Sequence, residues 1–261
     1  MNKTALKVIA VISAATLAVV VCGAGLLKEH QRQYERRLDY AKATLADEQA
    51  KIKDLERLAT SFYIGKNQDF LNQGIQSSTV EKATAQLDEF KTTAADFAIK
   101  PTELPKTAKT LAKEKTALLE KLEHTSEKLQ LQNRCNELFN TPIVDWTDKG
   151  QGVIIKETAT LTEAQKVIKQ CKQFKDDAWY QNITNYLNAA VNQINEVNTA
   201  QQIIDTLTSE KTGTYDDYLN LIGRVENIQN NEIRIALEQK IPAVASALGI
   251  AEDAQITFTT E

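Results

Sequence analysis

The segment LKEHQRQYERRLDYAKATLADEQAKIKDLERLATSF, from Leu27 to Phe62, carries the pattern that decides the fold. Its apolar residues recur at alternating spacings of four and three, which is the heptad pattern of a coiled-coil helix. The pattern predicts one long helix with a single apolar seam, polar only at Gln31 and Glu48. The seam residues are Leu27, Gln31, Tyr34, Leu38, Ala41, Leu45, Glu48, Ile52, Leu55, Ala59 and Phe62.

A second seam with the same alternation lies further along the chain. A shorter amphipathic helix is expected between the two, from Thr79 to Ala98, because glycines and prolines mark turns on either side of it. Three such segments predict an up-down-up three-helix stalk bundle over residues 28–140; packing of the stalk as a homodimer is the alternative. The second seam comprises Leu104, Ala108, Leu111, Lys115, Leu118, Leu122, Thr125, Leu129, Gln132, Asn136 and Phe139.

An uncharged run from Val8 to Leu27 precedes the stalk and follows a short basic N-terminus, residues 1–7. As a helix this run would extend about 30 Å, the thickness of a bilayer core. We predict a transmembrane helix that acts as a signal anchor. Two alternatives are a cleaved signal peptide ending near Cys22-Gly23-Ala24 and lipidation at Cys22, although a Val stands where a lipidation site has a small residue.

The charges that flank the apolar run help to predict on which side of the membrane the rest of the chain, its body, lies. More Lys and Arg residues follow the run than precede it, which favours a cytoplasmic body, whereas the leader-like start favours export. We expect an extracytoplasmic body on a single-pass plasma membrane protein, because long domains cross largely regardless of flanking charge. The basic residues after the run are Lys28, Arg32, Arg36, Arg37 and Lys42.

Composition narrows the classes of partner and fold. The chain has 31 basic and 35 acidic residues and a net charge of −4, so nucleic acid is not an expected partner. Only 9 Gly and 4 Pro occur in 261 residues, which favours long helices with few turns.

The C-terminal half repeats one apolar pattern. Thr162–Leu187 aligns without gaps with Asp216–Ile241, and each copy resembles two helices joined at a polar corner. We therefore predict a second helical unit over 161–210, a third over 211–249 and a tail over 250–261, with neighbouring units sharing long helices. The matched apolar pairs are Val167 with Leu221, Cys171 with Val225, Phe174 with Ile228, Trp179 with Ile233 and Ile183 with Leu237.

The single N-terminal span, the long stalk and the repeated helical units from about Leu58 to Leu248 resemble a known architecture. It is that of the membrane-proximal helical extracellular domain of mid-cell-anchored protein Z, a division-site protein of Gram-positive bacteria. The resemblance implies a spectrin-like pedestal in the cell envelope. Only seven residues precede the span here, too few for that family's cytoplasmic arm, so its division function is not carried over. With a cytoplasmic body, the architecture would instead be similar to spectrin-like, N-terminally anchored division regulators.

Two cysteines occupy positions that are apolar in the neighbouring unit. Cys135 and Cys171 are therefore expected on one helical interface, where they form either a disulfide or two buried thiols. An extracytoplasmic body favours the bridge, and a cytoplasmic body favours the thiols.

The segment 141–160 interrupts the helical pattern and is the best place for a partner-binding loop. Its Asp145, Trp146 and Asp148 suggest an aromatic anchor beside carboxylates; in the alternative, Trp146 folds back as a plug over the junction between bundles.

No residue set resembles a catalytic, cofactor or metal site, so we expect a non-enzymatic protein without a cofactor. The predicted fold is all-α: an N-terminal transmembrane helix, a long antiparallel coiled-coil-like stalk and consecutive three-helix units. The predicted function is a membrane-anchored scaffold or pedestal that positions or binds a protein or cell-wall partner of the envelope or division machinery. The alternative is a ligand-sensing or cargo-binding domain that works with a separate signalling or transport subunit, with a pocket near Cys135, Phe139, Trp146 and Cys171.

Overall fold

The computed structural model describes residues 3–149 and 152–251, and the side chains of residues 28–149 and 152–251. The chain is mostly helical in this part, as the sequence predicts. The helices are α1 (Lys3–Ser61), α2 (Ser77–Asp88), α3 (Lys106–Asn136), α4 (Leu161–Cys171), α5 (Ala178–Glu210), α6 (Tyr215–Glu226), α7 (Asn231–Glu238) and α8 (Ile241–Ala247). Two short strands, β1 (Tyr63–Ile64) and β2 (Phe70–Leu71), and three 3-10 turns complete the list.

The predicted membrane span, Val8–Leu27, lies in α1 but outside the residues whose side chains are described, and most of the predicted tail is outside as well. Among the residues whose side chains the structure describes, no helix combines the length and the apolar character needed to cross a membrane.

The chain divides into two compact units whose boundaries fall inside α1 and α3. Unit 1 comprises Met1–Thr60 and Ser78–Glu123, and unit 2 comprises Ser61–Ser77 and His124–Glu261. This division differs from the predicted one, which assigned residues 28–140 to a single bundle. Part of the reason is that Asp69, in the segment 61–77, accepts the N–H of Ala178 on α5 at 3.4 Å, and that Arg134, near the end of α3, bonds to Glu163 on α4.

From Ala41 to Ala59 the heptad seam of α1 is buried in unit 1, whereas nearer the N-terminus Tyr34 and Leu38 are half-buried and Gln31 is exposed. Ala41, Leu45 and Ile52 are at most 1 % exposed, and Ala59 is fully buried. On α3, the second seam is buried at Ala108, Leu111, Leu118 and Leu122. The spacing therefore identified the packed faces of both helices.

The helix predicted from Thr79 to Ala98 ends earlier, at Asp88. Beyond that point Asp96 accepts the backbone N–H of Thr92 at 3.0 Å and that of Thr93 at 2.7 Å, and a separate 3-10 turn follows at Ala95–Phe97. Short polar side chains that bond the nearby backbone compete with helix formation, so the apolar periodicity here overstated the length of the helix.

Two polar seam residues hold the backbone just after α2. Lys115 Nζ donates to the carbonyl oxygens of Asp88 at 2.9 Å and Phe90 at 3.1 Å. The carboxylate of Glu48 accepts the N–H of Lys91 at 3.0 and 3.1 Å. Glu48 and Lys115 thus interrupt the two seams because they satisfy backbone groups at the end of a helix.

We expect Glu48 to make the stability of unit 1 depend on pH. Burial raises the pKa of the Glu48 carboxyl, against a smaller lowering effect of the Lys91 N–H and of Lys51, Lys91 and Lys115. A raised pKa in the folded state means that the stabilising contribution of the protonated form is present at low pH and is lost as the pH rises through that pKa. The neutral variant Glu48→Gln keeps an acceptor for the N–H of Lys91. The difference between its midpoint of urea unfolding and that of the parent should therefore be more favourable to the variant at pH 7 than at pH 4.

Circular dichroism of the full-length protein at both pH values measures that difference, and Glu56→Gln, at an exposed position of the same helix, is the matched control. If Glu48→Gln changes the midpoint of urea unfolding by the same amount at pH 4 and pH 7, the expected role of the buried charge is contradicted.

Unit 2 contains two apolar core clusters. The first is built around α4 and α5 and includes Trp179 and Ile183, and the second is built around the end of α5 and helices α6 to α8 and includes Tyr218. The predicted repeat is visible in this burial: both members of the pairs Val167–Leu221, Cys171–Val225, Phe174–Ile228 and Ile183–Leu237 are buried. In the fifth pair Trp179 is buried and Ile233 is half-buried. A sequence pattern with little identity between the two copies therefore identified equivalent core positions.

The segment 61–77 forms a small antiparallel hairpin that the sequence indicated only as a turn. Tyr63 pairs with Leu71, and Ile64 pairs with Phe70. Gly65 follows β1 with φ +84°, a backbone conformation that side chains other than glycine rarely adopt.

Candidate partner-binding loop

The segment between α3 and α4 contains no helix among its described residues, 137–149 and 152–160, as the sequence predicts. We call residues 140–149 and 152–156 the clamped loop. Phe139 and Ile155 form an isolated antiparallel bridge at its base. Around that bridge, Asn140 N donates to Ile154 O at 2.9 Å, and Lys156 N donates to Leu138 O at 2.8 Å.

The three residues predicted for this site have different environments. Asp145 and Asp148 are exposed, whereas Trp146 is only 7 % exposed and belongs to the first core cluster of unit 2. Its ring meets that of Tyr186 edge to face, with the centroids 5.7 Å apart. Of the two interpretations of Trp146, the structure has the inward-folded one, so Trp146 attaches the loop to the core and is not an exposed anchor.

Two side-chain amides bind the first half of the clamped loop. Asn136, on α3, accepts the N–H of Ile143 at 2.7 Å and donates to its carbonyl oxygen at 3.2 Å. Asn182, on α5, donates to the carbonyl oxygens of Trp146 at 3.0 Å and Thr147 at 2.9 Å. The backbone of this half is therefore fixed on both sides of Val144.

Two further amides bind the second half. Gln193, on α5, donates to Val153 O at 2.7 Å and accepts the N–H of Ile155 at 3.3 Å. Asn230 is 2 % exposed; it donates to Ile155 O at 2.7 Å and also accepts the N–H of Ile233, at 2.9 Å, at the start of α7. Amides suit these positions because each carries both a donor and an acceptor.

An open cleft of about 260 Å³ lies in the clamped loop. Its apolar lining includes Pro142, Val144, Ile154 and the ring of Tyr186. Val144 is 65 % exposed and Ile154 is 38 % exposed, which is unusual for two aliphatic side chains on a segment held so firmly. Surface loops on a rigid scaffold are common binding elements, so this cleft is the strongest candidate site.

Carboxylates supply the charge of the cleft lining. Asp145 Oδ1 accepts the N–H of Thr147 at 2.9 Å and its hydroxyl at 2.6 Å, and these bonds lower the pKa of Asp145. Asp148 Oδ1 accepts the N–H of Lys149 at 2.6 Å. Among the cleft residues that the structure describes, Asp145 and Asp148 are the charged ones, so the cleft is apolar with a negative margin.

A second polar cluster in unit 2 was not found from the sequence. Lys128, on α3, has a side chain only 4 % exposed, and its Nζ lies 2.5 Å from Asp177 Oδ2 and 2.7 Å from Asp69 O. The ammonium also lies 5.2 to 5.6 Å from the ring centroids of Phe174, Trp179 and Tyr63. We call these six residues the Lys128 cage.

The Lys128 cage is filled by the ammonium group of Lys128 itself, so it leaves no room for a ligand and instead connects elements of unit 2. Lys128 belongs to α3, Tyr63 and Asp69 to the hairpin segment, and Asp177 and Trp179 to the start of α5. A buried ammonium requires a counter-ion and acceptors, and aromatic faces add cation–π attraction. The heptad pattern did not identify this role, because Lys128 lies between the seam positions Thr125 and Leu129 and is not itself a seam residue.

Cys135 and Cys171 are free thiols in the described part of the chain, so of the two alternatives this structure has the buried thiols and not the disulfide. Both are fully buried in the first core cluster, as the shared-interface prediction requires. Burial raises the pKa of both thiols, to about 12 for Cys171. Protonated, enclosed thiols act as small apolar side chains.

We therefore expect Cys135 and Cys171 to resist alkylation by iodoacetamide at pH 8 in the folded protein and to react once urea unfolds unit 2. Peptide mass mapping measures labelling at each position. The variant Thr158→Cys places a thiol at an exposed position before α4 and is the labelling control. A Cys135–Cys171 linked peptide pair under non-reducing conditions, or native labelling as fast as in the control, would contradict this expectation.

Another cleft in unit 2, of about 440 Å³, has polar walls formed by residues of α3 and α4. Among its charged lining residues, Arg134 donates from Nε to Glu163 Oε1 at 3.1 Å and also bonds to Gln170. Because Arg134 is engaged internally, this cleft is a weaker candidate than the one in the clamped loop. In the described part of the chain, no group of three or more His, Cys, Asp or Glu side chains is placed to hold a metal ion.

No protein-family model, curated protein or solved structure matches the chain.

Proposed function

We propose that this chain is a membrane-anchored, non-enzymatic helical scaffold with an extracytoplasmic body, and that the clamped loop binds a partner protein. The observation that carries the proposal is the exposure of Val144 and Ile154 over one cleft, on a backbone held by side-chain amides. A loop that is already ordered loses little conformational entropy on binding, so exposed apolar side chains on it are available for a partner.

The proposed stalk is supported by contacts in unit 1. Near the start of the described side chains, the hydroxyl of Tyr34 accepts the N–H of Lys100 at 2.8 Å. Near the other end, Lys121 Nζ donates to Thr60 Oγ1 at 3.2 Å. The two contacts join α1 to the segment at α3 in the same order along the chain, which favours parallel packing of α1 and α3 as the first and third helices of an up-down-up bundle. The buried seams favour coiled-coil-like contacts.

The consecutive helical units and the anchor remain parts of the proposal. The equivalent burial of the two repeat copies supports spectrin-like units that share α5. The uncharged run Val8–Leu27 supports a membrane anchor. The cell envelope and the division machinery are the proposed setting, through the resemblance noted above.

The proposed scaffold is preferred to a ligand-sensing or cargo-binding domain because of the core. A sensing pocket was expected near Cys135, Phe139, Trp146 and Cys171, but these four side chains are 0 to 7 % exposed and belong to one cluster. The exposed apolar residues, Val144 and Ile154, lie instead on the clamped loop, where a partner could reach them.

Site-specific photo-crosslinking in living cells tests the proposed binding loop. Benzoylphenylalanine at position 144 or 154 of the full-length protein should give the same discrete protein adduct. The matched control position is Thr158, which is exposed but does not line the cleft. Adducts that are equally strong at position 158, or absent at 144 and 154, would overturn the proposal.

A protease test addresses the anchor and its orientation. With a tag after Glu261, protease added to intact cells should remove the tag if the body is extracytoplasmic. Tag that fractionates with membranes but is lost only after lysis would place the body in the cytoplasm and overturn that part of the proposal. Tag that leaves the membrane fraction in the full-length chain would overturn the anchor itself.

A further inference from the structure

We infer that the cleft of the clamped loop recognises a partner segment in which an aliphatic side chain stands next to Lys or Arg. The inference rests on the proposed function, because it specifies the chemistry of the partner that the loop would bind. Val144 and Ile154 would contact the aliphatic side chain, and Asp145 and Asp148 would pair with the basic one.

The size of the cleft favours a side chain rather than a small molecule. Pockets for drug-sized ligands enclose roughly 300 to 1,000 Å³ and cover most of the ligand. This cleft is open and holds about 260 Å³, which suits one aliphatic side chain of a protein segment laid across it. Burying the exposed surfaces of Val144 and Ile154 would supply the apolar part of the affinity.

The charges of the lining favour a basic neighbour for that side chain. Thr147 and the N–H of Lys149 bond to the Oδ1 atoms of Asp145 and Asp148, respectively. In the described hydrogen bonds the Oδ2 atom of each carboxylate is not used, so each has an acceptor for an incoming guanidinium or ammonium group. Complementary charge raises specificity and association rate, and like charge excludes wrong partners.

The same features disfavour other occupants. Anionic lipid headgroups and phosphate-rich wall polymers would meet two carboxylates in the cleft. A sugar ring would need an exposed aromatic face, yet Trp146 is 7 % exposed and Tyr186 is 3 % exposed. A protein segment with an aliphatic and a basic side chain is the remaining chemistry that fits both the walls and the charge.

The full-length protein in uncharged detergent micelles allows a direct test with three fluorescein-labelled heptapeptides. The probe has the sequence Gly-Ser-Arg-Leu-Arg-Ser-Gly, and the matched controls replace its two Arg with Glu or its Leu with Ser. Fluorescence anisotropy should show the probe binding with a Kd of about 10⁻⁴ M at low salt and each control at least about tenfold more weakly.

Variants assign the binding to the cleft. The double variant Asp145→Asn and Asp148→Asn keeps the local turn bonds, and it should weaken the probe about tenfold and reduce the salt dependence of binding. Val144→Ser should weaken it by a similar factor. Glu157→Gln removes a carboxylate from an exposed position outside the cleft lining and should leave binding unchanged.

The outcomes separate this inference from the proposed function. Equal binding of the Arg and Glu peptides, or an equal loss with Glu157→Gln, would overturn the inference. If position 144 still crosslinks to a partner in cells while the Asn double variant changes nothing, the loop binds a protein of different chemistry and only the inference fails. A concentration-dependent dimer that the Asn double variant abolishes would also overturn it, because the occupant would then be a second copy of this chain. Failure of both the peptides and the crosslinks would overturn both proposals.

Discussion

Replacement of Lys128 by Ala is expected to lower the free energy of unfolding of unit 2 by about 3 kcal/mol. The change removes a side chain that is 4 % exposed and leaves Asp177 and the carbonyl oxygen of Asp69 without their ammonium partner. Asp177 keeps 30 % of its side chain exposed, so water screens part of its charge, and we take the lower end of the range for broken buried pairs.

Tryptophan fluorescence during urea unfolding measures this effect. The chain has 2 Trp, and Trp146 and Trp179 both belong to unit 2, so the signal is specific to that unit. Trp179 should also change its native emission, because the Lys128 ammonium lies 5.3 Å from its ring centroid. Hydrogen exchange should show faster opening of the hairpin segment 61–77, which loses its bond at Asp69.

Two further variants make the Lys128 result interpretable. Lys128→Met keeps most of the aliphatic volume and should be less damaging than Lys128→Ala, while it still leaves Asp177 unpaired. Lys166→Ala, at an exposed position of α4 in the same unit, should change stability by less than about 0.5 kcal/mol. A Lys128→Ala protein as stable as the Lys166→Ala control would refute the connecting role of the cage.

The second large effect is expected at Asn230, whose replacement by Ala should cost about 2 to 3 kcal/mol. Asn230 is nearly fully buried and serves two segments at once, as the cap that accepts the N–H of Ile233 and as the donor to Ile155 O. Its loss leaves a buried carbonyl oxygen in the clamped loop and an N–H group at the start of α7 without these partners. The clamped loop should lose hydrogen-exchange protection around Ile155 before the rest of unit 2 does.

The variant Asn230→Asp separates the two functions. Aspartate still caps α7 as an acceptor, but it has no N–H to donate to Ile155 and places a carboxylate near that carbonyl oxygen. Loop protection should therefore fall in Asn230→Asp as it does in Asn230→Ala, whereas α7 should keep its protection. Asn195→Ala, at an exposed site on α5, is the control. Unchanged protection at Ile155 in both Asn230 variants would show that the amide does not hold the loop.

In unit 1 the sequence was a reliable guide to the buried faces and a poor one to a helix end. The spacing of Ala41, Leu45 and Ile52 predicted their burial because heptad periodicity repeats along one helix. The end of α2 at Asp88 was not predicted, since it depends on backbone groups satisfied by Glu48 and Lys115 from distant parts of the chain.

At the candidate site, the sequence located the loop but left the direction of Trp146 open. Asn136 was visible as a polar residue in an apolar seam, and Asn230 as part of a polar corner. Neither signal identifies a partner, because one asparagine can face water, cap a helix or bind a loop. The exposed pair Val144 and Ile154 was likewise indistinguishable from core residues by type alone.

By itself, the sequence determined that the chain is mostly helical, which faces of its long helices are buried, and where the helical pattern stops. These features depend on periodicity and on residues close together in the chain, where the backbone geometry relates spacing to position. Only the tertiary structure decided that Trp146 turns inward, that Lys128 is enclosed and that the amide of Asn230 holds the carbonyl of Ile155. Those outcomes depend on which donors and acceptors the fold brings together across long stretches of chain, and local spacing carries no information about that choice.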